Sequence, residues 1–110
     1  MAYEFRSEKN LAGMSTVLRT KTPWEWLDRS SDFWGDYLSA NVPPGLIVKL
    51  FKKVTPFARP KPDDEGWFHL EFKYVSDEAR EAYERLTQEL MDQLMPLLEA
   101  EDVEPTTGYH

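Results

Sequence analysis

From Trp67 to Val75 the chain alternates without a break, and no other stretch restricts the fold as tightly. Phe68, Leu70, Phe72 and Tyr74 fall on one side of an extended backbone, with Trp67, His69, Glu71, Lys73 and Val75 on the other. Successive side chains of a strand point to opposite faces, so the spacing predicts a strand with one face in a core and one polar, aromatic-dotted face. Pro56, Pro60 and Pro62 precede it; proline has no N–H for a ladder, so this stretch reads as a loop. Ser76 follows as a helix N-cap, with Asp77 and Glu78 in the first turn, where the helix dipole favours anions.

The spacing predicts a long amphipathic helix from Asp77 to about Glu101. Ala79, Ala82, Tyr83, Leu86, Leu90, Leu94, Leu97 and Leu98 share one side; Asp77, Glu78, Glu81, Glu84, Glu89 and Asp92 share the other. Pro96 removes an amide donor and is expected to kink the helix near Asp92 or to end its regular part. Residues 102–110 read as a flexible acidic tail. Upstream, Thr22-Pro23-Trp24-Glu25 has the form of a capping box, and Trp26/Leu27, Phe33/Trp34 and Tyr37/Leu38 recur at roughly helical spacing. A Trp-rich helix is expected there, or two short ones if Ser30-Ser31-Asp32 caps a second, ending at Asn41-Val42-Pro43-Pro44-Gly45.

Residues 46–54 fit two patterns. As a helix, Leu46, Ile47, Leu50, Phe51 and Val54 form a stripe with only Val48 misplaced, and this count is the better one. As a strand, Leu46, Val48, Leu50 and Val54 face one way, and the segment pairs with 67–75 across the proline loop. Residues 1–21 are weakly patterned: Tyr3-Glu4-Phe5 and Ser15–Thr20 each fit a short strand, and β-branched content favours the second. The expected fold is a single α+β domain over 1–101, a two- to three-stranded antiparallel sheet packed against the Trp-rich helix and the long C-terminal helix.

Four Trp, five Tyr and six Phe in a chain that is 41% hydrophobic exclude a disordered polymer. No apolar run approaches the length of a membrane span, and the first residues lack the basic head and apolar stretch of a secretory signal. Without cysteine there is no disulfide, thiol nucleophile or cysteine-bound metal, which fits the cytoplasm. The formal charge of −7 is unevenly spread: residues 1–60 hold nine Lys/Arg against six Asp/Glu, and residues 61–110 four against fourteen. Phosphate binding needs a basic footprint, so nucleic acid is an unfavourable partner. The cluster Lys49, Lys52, Lys53, Arg59 and Lys61, interleaved with Phe51 and Phe57, is a thin footprint in so acidic a chain.

Glycine-rich phosphate loops, HExxH and GxSxG are all absent from the sequence. No cofactor and no metal are expected, and enzymatic activity is left open with the balance against it. Two surfaces carry the expectation of a protein partner. Trp24, Trp34 and Tyr37 belong to an aromatic set too dense to be buried wholly by one short helix, and exposed aromatics are favoured at interfaces. Met91 and Met95 lie at the edge of a wide leucine stripe, where adaptable side chains meet a partner or a second copy in a homodimer. The expected function is a small non-enzymatic interaction module: an adaptor, inhibitor or assembly factor. Two alternatives stand beside it. One is a ligand pocket at Trp67, His69 and Glu71, where a histidine and a carboxylate share a strand face with an aromatic wall. The other is an acidic face of Glu78, Glu81, Glu84 and Asp92 that imitates nucleic-acid phosphates.

Overall fold

The computed structural model describes residues 1–32, 35–52 and 66–106. They form an α+β domain around a six-stranded, wholly antiparallel sheet in the order β2-β3-β4-β5-β1-β6. The strands are β1 (Ala2–Arg6), β2 (Trp26–Ser31), β3 (Gly35–Val42), β4 (Leu46–Lys52), β5 (Trp67–Tyr74) and β6 (Glu101–Thr106). The helices are α1 (Leu11–Lys21), α2 (Asp77–Glu81) and α3 (Tyr83–Leu97). The expected two- to three-stranded sheet under a Trp-rich helix and one long C-terminal helix is therefore corrected: the sheet is twice that size, and all three helices are short.

β5 is the strand that its alternation predicts, with Phe68, Leu70 and Phe72 buried. Tyr74, expected in the core, is 45% exposed at the strand end. Residues 46–52 take the strand alternative rather than the helical one. Leu46, Val48 and Leu50 enter the core, and the β-branched residues suit a pleated backbone. β4 pairs with β5 in an unbroken register from Leu46↔Tyr74 to Lys52↔Phe68.

The Trp-rich helix is replaced by the β2–β3 hairpin. Thr22 does not start a helix; it closes α1, its hydroxyl donating to the Leu18 carbonyl at 2.6 Å and accepting from the Trp26 indole N–H at 2.9 Å. Pro23 follows a finished helix, a common place for a residue that cannot continue one. Trp26, Leu38, Ala40 and Val42 then alternate into the core, and Gly35 sits at a φ of +70° where the chain enters β3. Of the pairs that mimic a 3.6-residue period, Trp26/Leu27 lies on β2 and Tyr37/Leu38 on β3, and Phe33/Trp34 lies outside the described residues.

The N-terminal segment reverses its expectation too. Tyr3-Glu4-Phe5 lies in a strand, whereas Ser15–Thr20 lies in α1. The Asn10 side chain caps that helix by accepting from the Gly13 amide at 2.8 Å, and Met14 and Leu18 bury one face. The C-terminal helix breaks at Ala82, whose φ of −104° and ψ of 16° leave the helical basin, and Pro96 falls in the last turn of α3. Residues 101–106 are strand β6, not a flexible tail. β6 is held on β1 by backbone pairing, and Arg6 reaches Asp102 at 3.1 Å. Residues 107–110 lie outside the described ones.

The core joins Met14 and Leu18 of α1, Leu90, Met91 and Leu94 of α3, and Leu98 to the inward residues of the sheet. Phe5 and Phe68 stack at 5.8 Å within it. The opposite sheet face holds one continuous row across the register: Arg29, Tyr37, Phe51, His69, Glu4 and Glu104. Phe51 and His69 are buried there, with ring centres 5.8 Å apart.

Candidate partner-binding site

A sheet of this kind has two edges, and their backbone polarity follows from two hydrogen bonds. The Phe72 amide donates to the Met1 carbonyl at 2.9 Å, and the Val75 amide donates to the Gly45 carbonyl at 2.8 Å. In an antiparallel ladder the backbone groups of alternate residues point to opposite neighbours. Phe68, Leu70 and Phe72 thus bond to β1, and His69, Glu71 and Lys73 to β4. Carried through the registers, Leu46, Val48 and Leu50 bond to β3, while Tyr37 and Ser39 bond to Arg29 and Leu27. The remaining residues of β2, Trp26, Asp28 and Ser30, direct their N–H and C=O groups outward. An independent contact agrees with this: Arg19 of α1 donates to the Trp26 carbonyl through Nε at 3.2 Å and Nη2 at 2.8 Å. That carbonyl is filled, whereas Asp28 and Ser30 present theirs to the open side.

The β6 edge is different. Ala2 and Glu4 turn their backbone groups toward Thr106 and Glu104, which leaves Pro105 directed outward. Proline supplies no donor there, the register shifts between Glu4 and Arg6, and Glu101, Asp102 and Glu104 are exposed. A blocked donor, an irregular register and like charges are common defences against strand addition.

Beside the open edge runs a groove of about 670 Å³ between α1 and the hairpin. Leu11, Ala12, Ser15 and Thr16 form its helical wall and Asp28, Ser30 and Asp36 its strand wall, with Arg19, Arg29 and Leu38 lining it as well. The side chains of Ala12, Ser15 and Thr16 on α1 are small and leave this room unfilled. Asp28 bonds to Arg19 Nη2 at 3.1 Å, although its side chain remains 76% exposed. Among the described residues no ion pair involves Asp36. These residues carry no signal that pattern reading detects, because an edge exists only once strand order is known.

The residues singled out from sequence are scattered over the molecule. Trp24 is half-buried against the core, and Trp34 lies outside the described residues. Tyr37 is half-buried on the outer sheet face, 4.9 Å from the Phe51 ring, with Lys49 Nζ 5.9 Å from its own ring. Met91 is buried in the core and Met95 packs on its margin. Lys49 and Lys52 belong to β4, while Lys53, Phe57, Arg59 and Lys61 lie outside the described residues.

Trp67, His69 and Glu71 do share one sheet face. His69 is wholly buried, and the other two are half-buried. The register sets Glu4 beside His69 and Lys49 beside Glu71. Glu78, Glu81 and Glu84 are exposed around a groove of about 960 Å³ at the α2–α3 break, which Arg80 and Arg85 also line. Asp92 lies farther along α3, where it accepts from Gln88 Nε2 at 2.9 Å. Burial pushes the Tyr83 hydroxyl above its usual value near 10, with Glu71, Tyr74 and Tyr3 adding to the shift. That hydroxyl donates to the Phe72 carbonyl.

Among the described residues no three His, Asp or Glu side chains are placed to hold a metal ion, and no helix is long and apolar enough to cross a membrane. No family model matches the chain, and no curated protein matches it.

Proposed function

We propose that this chain is a small protein–protein interaction module, an adaptor, inhibitor or assembly factor, that takes up an extended segment of its partner along β2. The observation that carries the reading is the contrast between the two sheet edges. One is closed by Pro105 and acidic residues; the other offers the donors and acceptors of Asp28 and Ser30 beside a groove. Adding a strand to such an edge gives main-chain hydrogen bonds for affinity, and the groove beside it gives side-chain selectivity. The cytoplasm is the compartment proposed for it, on the chain's lack of cysteine.

Ser30→Pro tests the reading. Its N–H points away from β3, so proline removes a donor that only an added strand uses. Capture of the partner from source cells with the wild type and not with Ser30→Pro, together with slowed amide exchange at Asp28 and Ser30 in the purified complex, is the expected result. A partner retained at full affinity by Ser30→Pro, with no protection at β2, overturns it.

A further inference from the structure

We propose that the segment taken up at β2 belongs to another protein and carries basic residues at the two alternate positions facing α1, a basic–X–basic strand. The proposal rests on the strand-addition reading and adds the chemistry of the occupant. A strand paired to the open edge bonds to Asp28 and Ser30, so its side chains opposite those two residues point to the helix-bearing face. Directly opposite side chains stand about 5 Å apart at Cβ, and opposite charges there attract. One position therefore meets the exposed Asp28 carboxylate. The other meets Ser30, a short side chain, over which a Lys or Arg reaches Asp36 on the next strand in the register Ser30↔Asp36.

Arg19 already serves Asp28 and the Trp26 carbonyl, and Asp36 has no ion-pair partner among the described residues. A second carboxylate in an occupant would place like charges side by side. The small wall residues Ala12, Ser15 and Thr16 leave length for an extended basic side chain without an apolar pocket to fill. The chain carries −7 overall with its acidic excess in residues 61–110, so attraction of a basic segment at β2 comes from Asp28 and Asp36 themselves.

A second copy of this chain fits poorly. Antiparallel self-pairing about a two-fold axis through the middle of β2 sets either Asp28 against Asp28 or Arg29 against Arg29. Like charges directly opposite are destabilising. The occupant is thus a heterologous segment.

The experiment titrates the full chain with two peptides of about eight residues, one alternating Val and Lys and one alternating Val and Glu, followed by amide chemical shifts and exchange. The Val-Lys peptide is expected to shift and protect the Asp28 and Ser30 amides, and to bind about fivefold or more tighter than Val-Glu. Asp36→Lys is expected to reverse that order, and Ser30→Pro to abolish both interactions. Ala12→Trp, on an exposed position of the groove wall, is a second blocking variant should Ser30→Pro fold poorly.

Equal protection by both peptides, lost in Ser30→Pro and unaffected by Asp36→Lys, leaves strand addition standing and overturns the basic occupant. Absence of any response at Asp28 and Ser30 overturns both readings. Protection that grows with protein concentration alone identifies a second copy as the occupant and overturns the heterologous one.

Discussion

Gly45 sits at a φ of +151°, a conformation that side chains rarely adopt, and a Cβ built there would lie 2.7 Å from that of Ser76. Ser76 cannot retreat freely: its hydroxyl donates to the Pro44 carbonyl at 3.1 Å and accepts from the Ala79 amide at 3.0 Å, tying the β3–β4 turn to the start of α2. Gly45→Ala therefore combines backbone strain with a clash and is expected to destabilise the fold by about 2 kcal/mol, read as a lower midpoint in urea. Tyr83 gives a second prediction. Its hydroxyl is held above the usual value near 10 in the folded chain, so above that pH the folded state binds more protons than the unfolded one. Stability contributed by the neutral phenol is full below pH 10 and is lost as pH rises through the folded-state value. Tyr83→Phe is expected to flatten the alkaline fall in melting temperature; an unchanged alkaline profile counts against this role. Gly45 and Ser76 were partly legible in sequence, since Asn41-Val42-Pro43-Pro44-Gly45 reads as the end of an element and Ser76 as a cap, but their mutual contact was not.

Strands and helices show which signals survive without tertiary context. β5 and the Ser76 cap were readable because alternation and capping are local. The β2–β3 hairpin was misread because Trp26/Leu27 and Tyr37/Leu38 satisfy a helical period by accident, with Thr22-Pro23 supplying a false start. In the fold Thr22 bonds backward to Leu18 instead. β6 left no trace, since its one apolar side chain beside Pro105, Val103, is 40% exposed and its order comes from pairing with β1. The hairpin also yields a paired prediction. Arg29→Pro removes an N–H that bonds into β3 and is expected to cost about 2 kcal/mol, whereas Ser30→Pro removes an outward N–H and leaves the melting temperature within about 3 °C. Equal losses in both variants would mean that the backbone alternation of β2 is misassigned.

Strand order belongs to the whole molecule. β1, first in the chain, lies between β5 and β6, and its pairing partners are too distant in sequence for any local pattern to reveal. The open edge depends on this order, which is why Asp28, Ser30 and Asp36 were not read as a site while Trp67, His69 and Glu71 were. The acidic excess of the C-terminal half is displayed on α2, on α3 and along β6, with Lys9 at 3.7 Å from Glu99 and Arg6 near Asp102 as local counterions. A basic partner segment is therefore drawn to β2 by Asp28 and Asp36 in the groove rather than by this acidic half. Its affinity is expected to fall severalfold between about 50 and about 200 mM salt, measurable by titration calorimetry; a salt-independent constant would exclude charge as a component of recognition.

Amide hydrogen exchange of the free protein, resolved residue by residue along β2, tests the open edge most directly. The account predicts alternation: slow exchange at Leu27 and Arg29, whose amides bond to β3, and fast exchange at Asp28 and Ser30, whose amides face outward. Uniform protection across the four residues would show the edge already covered, and would contradict strand addition at β2.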